Sequence, residues 1–411
     1  MNYKNLLILI KLYATIIAQD TQITMQYRTT AFAYASKEAF MSNTVKKSNI
    51  KKILVRIISI ILILIILLGG VFTAIYFTRF QTISTIRKVT DYDDFNVYKM
   101  NVKYDYNLDN IIEKGITDDQ SFVNAIVGES LPLLPISIKA PKFACSAFTM
   151  TASNGDVLMG RNYDFKNDSS ALLVYCSPKG GYKSVATAAL DNIKANVADK
   201  NIKSKLTCLT APFICLDGMN EKGVSIAVLT LDSDPTRQNT GKQTIGTTLA
   251  IRLVLDKAAS TQEAVDLLGE YDMFATSGRD YHFYITDSSG DGRVVEYDCN
   301  SADRKLTDTP IRTITNFYGM YIDKVQPNQK NGIYGHGKER YDKIEAVFEE
   351  EKTNYTTDSA WKALKAAAQL PNPEDVTSNT QWSIVYNDTT LTADIVLRRN
   401  WEDVYSYDLN Y

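Results

Sequence analysis

Residues 145–165 read CSAFTMTASNGDVLMGRNYDF, and the rest of the chain is best understood outward from this stretch. A cysteine opens it, runs rich in apolar residues flank Asn154-Gly155, and Arg161, Asn162 and Asp164 close it. Asn-Gly between two such runs is the strongest short hairpin signal, because the tight turns that join twisted strands need positive φ. The stretch therefore reads as two antiparallel strands, residues 146–152 and 156–162. Folding back returns Arg161 and Asp164 to the neighbourhood of Cys145. A guanidinium beside a thiol lowers its pKa, and the thiolate is the form that attacks a carbonyl carbon. A carboxylate close by orients a cationic group, such as an amine, that serves as the base. A lone cysteine is commonly a small core residue, so it is the spacing to Arg161 and Asp164 that argues for chemistry.

The same GRNYDF wording at that distance from a cysteine resembles the start of the choloylglycine hydrolase family, the linear amide C–N hydrolases with an N-terminal nucleophile. Bile salt hydrolases and penicillin V acylases belong to that family, and the acid ceramidase group is a more distant relative. There the cysteine is the first residue of the mature chain. The resemblance implies an α+β fold, a four-layer αββα sandwich, spanning residues 145–411, and a thiol nucleophile at Cys145 with Arg161 and Asp164 beside it. Downstream, DGMNEKG at 217–223 is a turn between apolar strands within 214–231 and is similar to the family as well, with Asn220 and Gly223 as turn residues. The following strand of the family offers a backbone N–H to the oxyanion, and the matching position is Thr230. Bile salt hydrolases often have Asn there and penicillin V acylases Tyr, so Thr230 leaves the substrate class open. Thr315-Asn316 is similar to the family's Thr-Asn element, whose Asn amide supplies the second oxyanion donor. Arg340, in GKERYDKI, stands where the family has a further active-site Arg, although by charge pattern the same octet is an ordinary solvated helix face.

Between these motifs the chain is strand-rich. Residues 171–176 and 184–189 read as strands, 281–286 and 293–297 as a hairpin around SSGDG, 311–317 as a strand, and 381–386 with 392–397 as a last pair. Helical spacing marks 247–257, 261–271, 337–350 and 358–369, the second opened by Ser260 or Thr261 as a cap. Aliphatic stripes on such helices face a core by default.

Upstream the composition changes. Residues 57–77, from Ile57 to Phe77, are nearly all apolar and long enough to cross a bilayer as one helix. Lys46, Lys47, Lys51, Lys52 and Arg56 precede the run and only Arg79 closely follows, so the positive-inside bias puts the N-terminus in the cytoplasm and the catalytic domain outside. The expected organisation is a leader over 1–52, a single-pass signal anchor over 53–78, a spacer and pro-segment over 79–144, and the amidohydrolase domain. Residues 6–18 are apolar but short and broken by Lys11, and Met41 is an alternative start. The spacer is polar to Asp119, holds one amphipathic piece at 120–127, and is broken by LPLLP at 131–135 and by Ala140-Pro141.

Charge nearly cancels, with 45 Lys and Arg against 47 Asp and Glu, so no nucleic-acid footprint is present. Two histidines and no CxxC or HExxH give no reason to expect a metal, and no cofactor is implied. His282 and His336 are the histidines a rival Cys–His protease would need. Among the remaining cysteines Cys208 and Cys215 are the nearest candidates for a disulfide. The expected partners are a small-molecule N-acyl amide substrate, the membrane and, as an open matter, a second copy of the chain. An acyltransferase using an amine acceptor and a non-catalytic, membrane-tethered binding module are the alternative functions.

Overall fold

The structure, a computed structural model, describes residues 46–134, 144–372, 374 and 378–409. Positions 1–45, including 6–18 and Met41, and the proline breaks at 135 and 140–141 lie outside them. The chain divides into two units, Met1–Ile75 and Tyr76–Tyr411. Helix α1, Lys46–Ser84, is continuous. Within it Leu54–Ser84 is long and apolar enough, by length and composition, to cross a membrane, and its large apolar side chains from Leu54 to Phe72 are exposed.

The second unit is a mixed α+β fold with two principal sheets. Strands β1 (Arg87–Lys88) and β2 (Val97–Asn101) and helices α2 (Leu108–Glu113) and α3 (Asp119–Ser130) come first. The signature hairpin follows as β3 (Ala144–Thr151) and β4 (Val157–Asp164), then β5 (Ala171–Cys176), β6 (Ser184–Ala189) and the short helix α4 (Ile202–Thr207). Next are β7 (Asp217–Asn220), β8 (Ser225–Leu231), β9 (Thr244–Gly246), α5 (Thr247–Lys257) and α6 (Thr261–Gly269). The remaining elements are β10 (Asp272–Phe274), β11 (Asp280–Thr286), β12 (Arg293–Tyr297), β13 (Leu306–Pro310), β14 (Thr313–Ile314), α7 (Lys338–Glu351), α8 (Thr357–Ala367), β15 (Thr380–Asn387), β16 (Thr392–Leu397) and β17 (Tyr405–Asp408). A nine-stranded sheet runs β1-β2-β5-β6-β7-β8-β11-β12-β13, and a six-stranded sheet runs β14-β3-β4-β15-β16-β17.

Residue chemistry explains the placement. Asn154-Gly155 does turn the chain, through a loop in which Gly155 takes φ +92° and its N–H donates to the Ala152 carbonyl at 2.8 Å. Gly160, the glycine of GRN, faces Phe148 across the strand pair, and a Cβ there would lie 2.1 Å from the ring. Phe148 therefore packs against a bare backbone and meets Phe348 of α7 edge-on at 5.1 Å. Phe148, Leu158, Ile344, Phe348, Ala360 and Leu364 form the core between the six-stranded sheet and the α7–α8 pair. Each large apolar side chain buried there contributes about 1.5–3 kcal/mol. Helix α5 is buried on almost every side chain against β7 and β8, so the nine-stranded sheet has a helical cover of its own.

Residues 79–130, expected as a spacer, carry β1, β2, α2 and α3, and β2 runs parallel to β5 inside the larger sheet. The expected strand 311–317 stops at Ile314. Beyond it Thr315 turns aside, its hydroxyl donating to the Gly337 carbonyl at 2.8 Å while its own carbonyl meets His282 Nε2 at 3.0 Å. Cys208 and Cys215 are not joined: all five cysteines are free, and the Cys215 thiol instead donates to the Ala211 carbonyl at 3.1 Å. Cys208 opens a 3-10 helix, Cys208–Phe213, and both thiols are buried.

Candidate active site

Register decides which groups of the hairpin meet. Cys145 pairs with Tyr163 and Ala147 with Arg161, so Arg161 is the diagonal neighbour of Cys145 on one face of the sheet. Asp164, three residues beyond Arg161, belongs to the other face. Cys145 is fully buried. Its backbone N–H donates to Asn316 Oδ1 at 3.3 Å, and its carbonyl accepts from Arg340 Nη1 at 3.0 Å.

The partners of Cys145 bind one another. Arg340 Nη2 donates to Asn316 Oδ1 at 2.6 Å, and Arg340 Nη1 lies 3.4 Å from Asp164 Oδ2. Thr380 Oγ1 donates to Asp164 Oδ1 at 2.6 Å and Gln369 Nε2 to Asp164 Oδ2 at 2.9 Å. Asn316 Nδ2 donates to the Thr230 carbonyl at 2.8 Å. A primary amide has two N–H groups, so one remains for a ligand. Cys145, Asp164, Thr230, Asn316 and Arg340 thus form one continuous buried cluster drawn from β3, β4, β8, the loop after β14 and α7. Arg340 is only 4% exposed, which corrects the reading of GKERYDKI as a solvated face at that position. Gly337 makes this possible: with φ +86° it opens α7, and a Cβ there would lie 2.4 Å from Arg340 Nη2.

Arg161 joins the cluster through charge. Its Nε lies 2.7 Å from Asp217 Oδ2, both side chains being fully buried, while its Nη1 and Nη2 have no hydrogen-bond partner among the described residues. Asp217 also accepts from Tyr386 OH at 2.6 Å and from Trp382 Nε1 at 3.3 Å. Sequence reasoning passed over Asp217, although it opens the DGMNEKG stretch, because a turn sequence gives no sign of which of its acids faces inward. Gln369 and Thr380 were also missed, since neutral polar residues carry no motif. In the same stretch Asn220 and Gly223 are turn residues: Asn220 Oδ1 accepts from the Lys222 and Val224 N–H groups, and a Cβ on Gly223 would lie 2.2 Å from the Asp388 carbonyl.

Burial governs the electrostatics. It pushes the Cys145 thiol up to about 12, outweighing the Arg161 guanidinium and the Asp164 backbone N–H, which favour the thiolate. The expectation of a thiol lowered by its guanidinium neighbour is therefore reversed in the uncleaved chain, because desolvation of a fully enclosed sulfur is the larger effect. Burial likewise raises the Asp164 carboxyl, against Arg340, Thr380, Gln369 and Arg161. Neither histidine hydrogen-bonds Cys145 among the described residues. His282 is held between Glu296 and the Thr315 carbonyl, and His336 Nδ1 pairs with Asp232 Oδ2 at 2.6 Å.

Arg340 and Gln369, both on Asp164, also line an open cleft of about 560 Å³ whose other walls include Asp232, Arg279 and His336. A thiol, a carboxylate and amide and guanidinium donors gathered around one cysteine are groups that acyl transfer can use.

The comparison with curated proteins found no match. Among solved structures, a mutant of the conjugated bile acid hydrolase from Clostridium perfringens is similar at 17% identity and TM-score 0.48, over 65% of this chain and 92% of that one. The penicillin V acylase from Agrobacterium tumefaciens is similar at 18% identity and TM-score 0.47, over 64% of this chain and 86% of that one. Residues 145–329 match the family model of the linear amide C-N hydrolases, choloylglycine hydrolase family, and so begin at Cys145 itself. Over that stretch, the chain's resemblance to the choloylglycine hydrolase family is shown.

Proposed function

We propose that the chain is an extracytoplasmic amidase that hydrolyses linear C–N bonds of small N-acyl compounds, with Cys145 as an N-terminal nucleophile. The observation that carries this reading is the buried cluster on both backbone groups of Cys145, at the first residue of the family match. A cysteine in mid-chain has no free α-amine, so the bond between Ala144 and Cys145 is the one to break. The thiol attacks the Ala144 carbonyl carbon, the C–N bond breaks as the thioester forms, and the departing nitrogen takes a proton. Water then hydrolyses the thioester, leaving a carboxylate on Ala144 and a free thiol and amine on Cys145.

The new α-amine serves as the general base for each turnover. It occupies the place of the amide N–H that now faces Asn316 Oδ1, and Asp164 is linked to that site through Arg340, which binds both Asp164 and Asn316. The remaining N–H of the Asn316 amide and the backbone N–H of Thr230 are the donors for the tetrahedral oxyanion. Arg161, with two unspent nitrogens, favours the thiolate and contacts the acyl part. Arg340 is a positioning residue that fixes Asp164, Asn316 and the Cys145 carbonyl together. Two sheets, each with its own helix pair, support the four-layer αββα sandwich. The exposed apolar run of α1 supports a single-pass anchor, and the basic residues before it, Lys46 to Arg56, favour the amidase outside.

A panel of N-acyl amides incubated with the chain and with Cys145→Ala tests the reading. The parent should release free amine from at least one member and the variant from none. Undiminished release by Cys145→Ala would overturn the proposal.

A further inference from the structure

We propose that residues 76–134 do not leave after cleavage but remain as a structural subunit, keeping the catalytic fragment attached to the anchoring helix without a covalent bond. The inference rests on the cleavage proposed above. Its ground is where β2 lies. A disposable pro-segment covers a finished surface, whereas β2 is an interior strand of the nine-stranded sheet, between β1 and β5. It pairs in parallel with β5 from Val97↔Ala171 to Asn101↔Tyr175, and every residue of β5 is buried. Removing β2 would bare the main-chain donors and acceptors of β5 as an open edge, a template for aggregation.

The side chains agree. Tyr98 and Met100 of β2 and Phe122 and Ile126 of α3 are at most 2% exposed. Phe122 lies over Gly246 so closely that a Cβ there would come within 2.6 Å of its ring. Two tyrosines reach deep polar groups of the catalytic fragment. Tyr104 OH donates to the Leu209 carbonyl at 2.6 Å, and Tyr106 OH donates to Asp256 Oδ1 at 3.0 Å. Loss of the segment would take the donor from the Leu209 carbonyl and leave Asp256 with Arg252 alone, whose Nη2 lies 2.7 Å from Oδ1, a cost that a cleaved peptide bond does nothing to offset. The interface has the character of a domain core divided in two, which is how obligate complexes are built. The N-terminal fragment is held to the helix by its own chain: α1 continues to Ser84, and Arg79 Nε donates to the Ser130 carbonyl at 2.7 Å. The product is a two-chain enzyme at the membrane rather than a released one.

The test uses the full chain with an epitope tag at each end, expressed in cells whose membranes are then washed with high salt at neutral pH and afterwards with concentrated urea. The C-terminal fragment, identified by N-terminal sequencing at Cys145, should stay with the membranes through salt, co-purify with the N-terminal tag, and leave in urea. Its appearance in the soluble fraction without denaturant would overturn the inference. A chain found uncut refutes the cleavage reading instead, and a second arm then decides retention. Cys145→Ala carrying a protease recognition sequence inserted after residue 139 is cut in vitro and washed in the same way. Release by salt alone in that arm overturns retention, and release only by urea supports it.

Discussion

Replacing Asn316 by Asp changes one functional group at the centre of the cluster while keeping its shape. The carboxylate retains an acceptor for Arg340 Nη2 and for the Cys145 N–H, now at 2.6 and 3.3 Å, but loses the amide donor and turns an oxygen towards the Thr230 carbonyl. If the second N–H of that amide binds the oxyanion, its loss costs about 2.7–4 kcal/mol of transition-state stabilisation, roughly 100- to 1,000-fold in kcat. The Michaelis constant should hardly move, because the donor acts on charge present only in the transition state. Asn316→Ala should lose similar rate, and both variants should lose stability. Asn316→Ala leaves Arg340 Nη2 and the Thr230 carbonyl without partners in a buried place, at about 1–3 kcal/mol each. The comparison is made on processed enzyme by steady-state release of amine, with urea unfolding of both variants alongside. A rise in the Michaelis constant with kcat unchanged for Asn316→Asp would refute the assignment and make Asn316 a ground-state binding residue.

Further outcomes follow from the same geometry. Cys208→Ala and Cys215→Ala should leave turnover intact, since both thiols are buried and free of the cluster, whereas Cys145→Ala abolishes it; amine release measures all three. In uncleaved chain, alkylation of Cys145 should be very slow at neutral pH and accelerate only as pH rises towards about 12. The raised thiol also sets a sign for stability: its contribution is full below the unfolded value of 9.0 and is lost as pH climbs to about 12, which alkaline urea titrations of Cys145→Ala against parent would reveal. Arg161→Ala removes the guanidinium that opposes this rise and should move the onset of activity to higher pH in a pH–rate profile. Asp217→Asn leaves the buried Arg161 cation unpaired and should lower unfolding free energy by about 3–5 kcal/mol, read from the denaturant midpoint.

What the sequence revealed was what is local. The β3–β4 hairpin, the strands at 171–176 and 184–189 and helix α5 follow from turn residues and periodicity within a short window, and they stand where expected. β2 was missed because VYKMN owes its burial to a parallel neighbour, β5, more than sixty residues on, and no local turn announces such a pairing. β13, reading LTDTP, and β17, reading YSYD, are partly exposed edge strands without a hydrophobic face to read. In the site, the resemblance brought Cys145, Arg161, Asp164, Thr230, Asn316 and Arg340 to attention, and the fold does gather them. The charge pattern around Arg340 pointed to solvent, and only the positive φ of Gly337 and the Thr315 hydroxyl on its carbonyl explain why that residue turns inward. The thiol's pKa was misread for a related reason: a motif shows which charge is near, but not how much water has been removed.

Cys145, freed at its amino end, is the proposed nucleophile. Peptide mapping of the acyl-enzyme, trapped by rapid acid quench with an N-acyl substrate, tests it most directly. The acyl group should be found on the sulfur of Cys145, in a peptide whose first residue is that cysteine with an unblocked amine. An acyl group on any other residue, or on a peptide that still carries Ala144, would contradict it.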